Sequence, residues 1–139
     1  MSEMIKQNNK TPQTVSLCVV AYNEEYFLPN LLTDLSNQTY PHELIELVLI
    51  DGCSTDGTKR LMTDFADRNS PGFCSIIVLD NEKRIQAAGW NVALMHATGD
   101  VIIRIDAHTS IPAEFTELNM KAIQDDEYVS GGIRPCLIE

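Results

Sequence analysis

The 139-residue chain is 44% apolar and 22% charged, the balance of a soluble globular domain rather than of a disordered segment. Twenty acidic residues against ten basic ones give a formal net charge of −10. No basic stripe exists to neutralise a nucleic-acid backbone, which excludes nucleic acid as a partner, and an anionic ligand would need a metal ion or backbone N–H groups beside it.

In chain order, residues 1–14 (MSEMIKQNNKTPQT) are polar, lack the apolar stretch of a secretion signal and read as a flexible arm. VSLCVVA (15–21) is a short β-branched run that predicts a buried strand. A helix is expected over 24–38, with Phe27, Leu28, Leu31, Leu32 and Leu35 on one face and Pro29 tolerated near its start. LIELVLI (44–50) predicts the second strand. The next helix is expected over 54–68, opening on capping residues and turning Leu61, Met62, Phe65 and Ala66 inward. FCSIIVL (73–79) predicts a third strand, and the span 84–99 a helix with Gly99 as its C-terminal cap. DVIIRI (100–105) predicts a fourth strand, 113–124 a helix, and YVSGG (128–132) the start of a fifth strand.

No apolar run approaches the roughly 20 residues that span a bilayer, so the expected location is cytoplasmic. Cys18, Cys53, Cys74 and Cys136 lie 35, 21 and 62 residues apart without a CxxC or CxxH pair, which argues against zinc and for reduced thiols. Cys18, inside a strand, is expected to act as a small hydrophobe.

Strands alternating with helices imply right-handed βαβ units and a parallel sheet covered on both faces. In such sheets ligands bind outside the carboxyl ends of the strands. That rule gathers AYNEE, DGCSTDGT and DAHTS on one rim. Each loop has two readings. Asn23 can cap the helix after it, with Glu24 and Glu25 near the positive end of its dipole, or the loop can face a ligand. Asp51, Ser54 or Thr55 can cap the second helix, yet Asp51 falls before the turn, where an inward carboxylate needs a donor such as a base or ribose. Asp106 and His108 can be a turn former and a surface histidine, or together an oxygen and a nitrogen ligand for a divalent ion bearing a nucleoside diphosphate. Neither GxGxxG nor GxxxxGK[ST] occurs, which disfavours dinucleotide and P-loop chemistry.

Taken in order, VSLCVVAYNEE, ELVLIDGCSTDGT, AAGWNVALMHATGDVIIRIDAHTSIP and YVSGG resemble the family 2 glycosyltransferases with a GT-A nucleotide-sugar fold. The branch they look most like builds bacterial exopolysaccharides such as succinoglycan, with Asp-Ala-His in place of the commoner Asp-x-Asp. The match covers residues 15 to about 132.

The resemblance implies a Rossmann-like α/β domain, its sheet mostly parallel with helices on both faces, in which residues 15–139 form the donor-binding part. It implies that Ala21, Tyr22 and Glu24 line a nucleoside pocket and that Asp51 faces the base or ribose. Arg84 and the QAAGWN turn would lie near the donor, with Asn91 helping to fix that helix. Asp106 would bind ribose and metal, and His108 would take the metal-binding place of the second acid. The implied cofactor is Mn²⁺ or Mg²⁺. The implied partners are a nucleotide sugar, expected to be a UDP-sugar, and a saccharide or lipid-linked acceptor in polysaccharide synthesis, with the full-length protein at the inner face of the membrane. Two positions depart from the pattern: Asp51-Gly52-Cys53 replaces Asp-Asp-Gly, and His108 lowers the negative charge around the ion.

In relatives the catalytic base lies beyond the segment equivalent to residue 132, so no base is assigned. The chain reads as a donor-binding half with poor turnover. Its fifth strand would leave Val129, Ile133 and Leu137 uncovered and favour a homo-oligomer. A nucleotide-binding module without catalysis is the nearer rival. A nucleotidyltransferase would share the sheet and the metal, but the glycine-rich, lysine-bearing loop it needs after the first strand is missing.

Overall fold

The computed structural model of the chain describes residues 13–126. Its strands are β1 (Val15–Ala21), β2 (Ile45–Asp51), β3 (Ser75–Asp80) and β4 (Val101–Asp106), and its α-helices are α1 (Leu28–Ser36), α2 (Thr58–Asn69), α3 (Gln86–His96) and α4 (Phe115–Asp126). All strand pairings among the described residues are parallel, and the order is β3-β2-β1-β4. The chain leaves β1 towards β2 and β3, then returns to the other side of β1. The topology therefore reverses at β1, and a crevice opens at the carboxyl ends of β1 and β4.

β1 and β2 are central and buried on both sides, which is why they are continuous apolar runs rather than alternating ones. Odd-numbered residues of β1 and β2 (Val15, Leu17, Val19; Ile45, Leu47, Leu49) pack with Ile103 and Ile105 of β4 under α1, α2 and α4. Helix α1 contributes Leu28, Leu31, Leu32 and Leu35, α2 Met62 and Phe65, and α4 Phe115 and Met120. On the opposite face Cys18, Val48 and Ile50 pack against Trp90 and Ala93 of α3. The expected two-sided cover is present, with three helices on one face and one on the other. Beside α3, the guanidinium of Arg104 stacks 4.3 Å above the Trp90 ring.

The amino-terminal rim is tied by one carboxylate. Glu46 is 5% exposed and forms no ion pair among the described residues. Its Oε1 accepts the Ser16 hydroxyl at 2.6 Å and the Thr98 N–H at 2.9 Å, and its Oε2 accepts Ser75 at 3.1 Å and the Thr98 hydroxyl at 3.2 Å. Ser16 Oγ in turn accepts the Gly99 N–H at 2.8 Å. Burial alone would raise the carboxyl pKa, but these donors outweigh it and hold it below the usual glutamate value.

Several expectations need correction. Gly99 is not a helix cap: α3 ends at His96, Ala97 is already extended, and Gly99 has no positive φ. Its glycine serves close packing, because a Cβ there would stand 2.6 Å from the Ser16 backbone nitrogen. Phe27 is not core. It precedes α1, is 49% exposed and sets its ring edge-on to Tyr26. Helix α2 starts at Thr58 rather than Ser54, because residues 54–57 are engaged by the first loop. Asn23 does not cap α1, which has no side-chain cap and no acid in its first turn. The flexible-arm residues 1–12, YVSGG, Val129, Ile133, Leu137 and Cys136 lie outside the described residues. Cys18 is 1% exposed, as expected of a small hydrophobe inside a strand, and Cys18, Cys53 and Cys74 are free thiols.

Candidate nucleotide-sugar site

The loops after the four strands meet on one rim because parallel register levels their ends: Ala21 pairs with Asp51, Asp51 with Asp80, and Asp106 with Val20 one step lower. The rim is pulled tight by main-chain bonds. Gly52 N–H donates to the Ala21 carbonyl at 2.8 Å, and Asn81 N–H to the Asp51 carbonyl at 2.7 Å. Three non-glycine residues on this rim, Asn23, Cys53 and Arg84, hold left-handed backbone, with φ of 52°, 64° and 64°. Such geometry costs roughly 1–3 kcal/mol per residue and persists only where surrounding bonds enforce it.

Asp51 closes β2 and is 3% exposed. Its Oδ2 accepts the Cys53 N–H at 3.1 Å and the Ser54 N–H at 3.2 Å, while its Oδ1 is buried without a hydrogen-bond partner among the described residues. A buried carboxylate oxygen left bare costs on the order of 1–3 kcal/mol or more, so it marks a place where a donor is missing.

Loop 22–27 lies across loop 52–57. Asn23 Oδ1 accepts the Thr55 N–H at 2.8 Å, Glu24 N–H donates to Thr58 Oγ1 at 2.9 Å, and Glu25 Oε1 accepts the Gly57 N–H at 2.8 Å. Tyr22, 48% exposed, stands beside Gly52, where a Cβ would meet Tyr22 Cβ at 3.4 Å. Ala21 is buried at the end of β1.

The β4 end carries Asp106, Ala107 and His108, of which only Ala107 is buried. The Asp106 carboxylate takes no hydrogen bond from a described residue, so it is available to a ligand. His108 Nδ1 lies 3.5 Å from Glu24 Oε2, and its ring centroid is 6.3 Å from that of Phe27. The structure thus joins His108 to Glu24, a pairing the Asp-x-His spacing did not suggest. The loop behind them is fixed to α1: Asp34 Oδ2 accepts Ser110 Oγ and Ile111 N–H, each at 3.1 Å, and Gln38 Nε2 donates to the Pro112 carbonyl at 2.9 Å. Among the described residues no group of three or more His, Cys, Asp or Glu side chains stands in metal-holding geometry. A carboxylate and an imidazole still fit a divalent ion that draws its other ligands from diphosphate and water.

Arg84 is exposed in the β3–α3 loop, its N–H bonded to the Asn81 carbonyl at 3.1 Å. Asn91 is exposed on α3; what seats that helix is Trp90, Ala93 and the Asn81 Nδ2 bond to the Ile85 carbonyl at 2.9 Å. Sequence reasoning missed Asn81, 2% exposed, which bridges β2 to α3. Its only signal was an Asn one residue past a strand. It also missed Ser54, Asp56 and Thr58 as partners of the first loop, since all three suit an ordinary helix start.

Residues 16–138 match the model of Glycosyl transferase family 2. The chain is 31% identical over 110 residues to the dolichyl N-acetyl-alpha-D-glucosaminyl phosphate 3-beta-D-2,3-diacetamido-2,3-dideoxy-beta-D-glucuronosyltransferase of Methanococcus voltae, covering 79% of this chain and 34% of that protein. It is 34% identical over 113 residues to the succinoglycan biosynthesis protein ExoA of Rhizobium meliloti strain 1021, covering 79% and 33%. Among solved structures it resembles the mannosyltransferase PcManGT from Pyrobaculum calidifontis in complex with GDP-Man and Mn²⁺. That likeness has a TM-score of 0.70 and 28% identity over 88% of this chain and 37% of the other. The chain therefore spans about a third of the length of the curated relatives it matches. Its parallel α/β sheet has the GT-A architecture of its structural neighbours, and the chain belongs to glycosyl transferase family 2.

Proposed function

We propose that residues 15–139 form the donor-binding part of a glycosyltransferase that moves a sugar from a nucleoside-diphosphate sugar, UDP-linked, to a saccharide or lipid-linked acceptor. The observation that carries the reading is the bare, buried Oδ1 of Asp51 on a rim built by all four strand ends. A base N–H or ribose O–H supplies the donor that this oxygen lacks. Ala21 and Tyr22 form the adjoining wall, and Glu24 reaches the same rim through His108. Arg84 offers an exposed guanidinium near the donor's charged portion. Asp106 accepts from ribose and, with His108, holds Mn²⁺ or Mg²⁺. When bound, that ion stabilises the negative charge left on the diphosphate as the sugar departs. The relative bound to GDP-Man and Mn²⁺ supports a nucleotide sugar and a divalent ion as ligands of this architecture.

The proposed acceptor class rests on the names of the relatives, which include transferases on dolichyl and undecaprenyl phosphates. No helix among the described residues is long and apolar enough to cross a membrane. A lipid-linked acceptor would meet this site at a membrane surface.

Calorimetry with UDP and Mn²⁺ tests the reading. Heat that disappears with EDTA is expected, and equal binding with and without metal would sink the metal assignment. Asp106→Asn should weaken binding more than His108→Asn, because Asp106 serves both ion and ribose. Losing a hydrogen bond to a charged group costs about 1.5–3 kcal/mol, roughly 10- to 150-fold in affinity.

A further inference from the structure

We infer that Asn23 is a positioning residue for the nucleotide pocket: its side-chain amide, without touching the ligand, holds residues 53–56 in the shape that leaves Asp51 Oδ1 free for the donor. The inference rests on the proposed function only for what the pocket binds.

Asn23 is the hub of the contact between the first two loops. Its Oδ1 accepts the Thr55 N–H at 2.8 Å and the Asp56 N–H at 3.3 Å, and its Nδ2 reaches Thr55 Oγ1 at 3.2 Å. Two backbone donors on one side of the amide fix its orientation, because only the oxygen can face them. Its own N–H donates to Ser54 Oγ at 2.8 Å, so the two loops bind each other in both directions. The backbone of Asn23 is left-handed, φ 52°, a conformation that asparagine tolerates better than other side-chain-bearing residues.

Across the loop, the Cys53 and Ser54 N–H groups both point at Asp51 Oδ2. Cys53 is itself left-handed, φ 64°, in the middle of that turn. The turn is thus held at two places: by the Asp51 carboxylate at 53–54 and by the Asn23 amide at 55–56. With the second hold removed, Cys53 can relax to negative φ, and Ser54 N–H swings away from Oδ2. The carboxylate then rotates, and the oxygen aimed at the donor is no longer set.

Three variants separate the amide from the backbone. Asn23→Asp keeps the accepting oxygen, Asn23→Gly keeps the backbone geometry without an amide, and Asn23→Ala loses both. Amide exchange followed by NMR on the ligand-free protein should speed up roughly tenfold at Cys53 and Ser54 in the Ala and Gly variants, the scale of one lost hydrogen bond. In the Asp variant exchange should stay near wild type, and Val48 and Leu49 inside β2 should be unchanged in all three. Affinity for UDP with Mn²⁺ should fall in parallel, about tenfold for Ala and Gly and much less for Asp. Unchanged exchange at Cys53 and Ser54 in both the Ala and Gly variants would overturn the inference. So would full UDP affinity in the Gly variant, which would assign the effect to backbone conformation. Failure of the wild-type chain to bind UDP would count against the proposed function alone, since the exchange measurement reads the clamp without ligand.

Discussion

Replacing Glu46 tests whether the amino-terminal rim is held by hydrogen bonds to a charge rather than by packing. In Glu46→Ala four bonds disappear at once, those from Ser16, Ser75 and the hydroxyl and N–H of Thr98. The three hydroxyls can rotate to other acceptors, so each costs toward the low end of about 0.5–1.5 kcal/mol. The Thr98 N–H has no such freedom and adds about 1–3 kcal/mol if left without a partner. The expected total is about 3–5 kcal/mol, or roughly 10–20 °C in Tm for a domain of this size. Glu46→Gln retains one accepting oxygen and turns its NH₂ toward two hydroxyls that can accept, so about 1–2 kcal/mol is expected. Urea unfolding with unchanged m-values is the assay. The acid limb adds a second reading. The folded-state pKa is depressed, so the contribution of Glu46 is complete above about pH 4.5 and is lost as pH falls through the lower folded value. The stability gap between wild type and Glu46→Gln should therefore narrow below pH 4.5. A Glu46→Ala variant within 1 kcal/mol of wild type would refute the argument.

Two glycines should rank by what their new methyl meets. Gly99→Ala puts a Cβ 2.6 Å from the Ser16 backbone nitrogen and should cost at least about 3 kcal/mol by thermal unfolding, whereas Gly89→Ala meets Val20 Cγ1 at 2.7 Å, gains about 1 kcal/mol of helix propensity and should cost about 1–2 kcal/mol. Among the described thiols, Cys74 should alkylate first, because it is exposed, and Cys18 only on unfolding. Burial and the charge of Glu46 push the Cys18 pKa up to about 12, so modification of Cys18 in the native protein at pH 8, read by peptide mass mapping, would contradict the fold.

The strands were the legible part. Uninterrupted β-branched and aliphatic runs at 15–21 and 44–50 locate β1 and β2 to within a residue, because a central parallel strand must be apolar on both faces. Asp51 and Asp106 were legible for the complementary reason, since an acid ending such a run must find a donor or reach solvent. Helix starts were not legible. Ser54, Thr55 and Asp56 look like capping residues to any local rule, and Asp56 Oδ1 does accept the Thr58 N–H, but all three also bond Asn23 or Glu25, about 30 residues away. Phe27 fits the helical period of Leu28, Leu31 and Leu35, yet it stands at the position just before α1 and is half exposed, which the period alone does not reveal. Glu46 was visible as a lone charge in LIELVLI, but its partners at 16, 75 and 98 come from three other segments. The His108–Glu24 pair likewise depends on two loops that only the sheet order makes neighbours.

The knot around Glu46 stands at the opposite end of the strands from Asn23, Cys53 and Arg84. A strand of six or seven residues puts roughly 20 Å between the two rims. Substitutions separated by more than about 10 Å with no shared partners combine nearly additively. Losses of stability from altered carboxyl-end loops are therefore not compounded by the anchoring end. The chemistry of the mouth can diverge from one descendant sequence to the next while the foundation of the sheet keeps its residues. A designer can exploit the same independence by grafting new loops after Ala21, Asp51 and Asp106 without retuning the far edge.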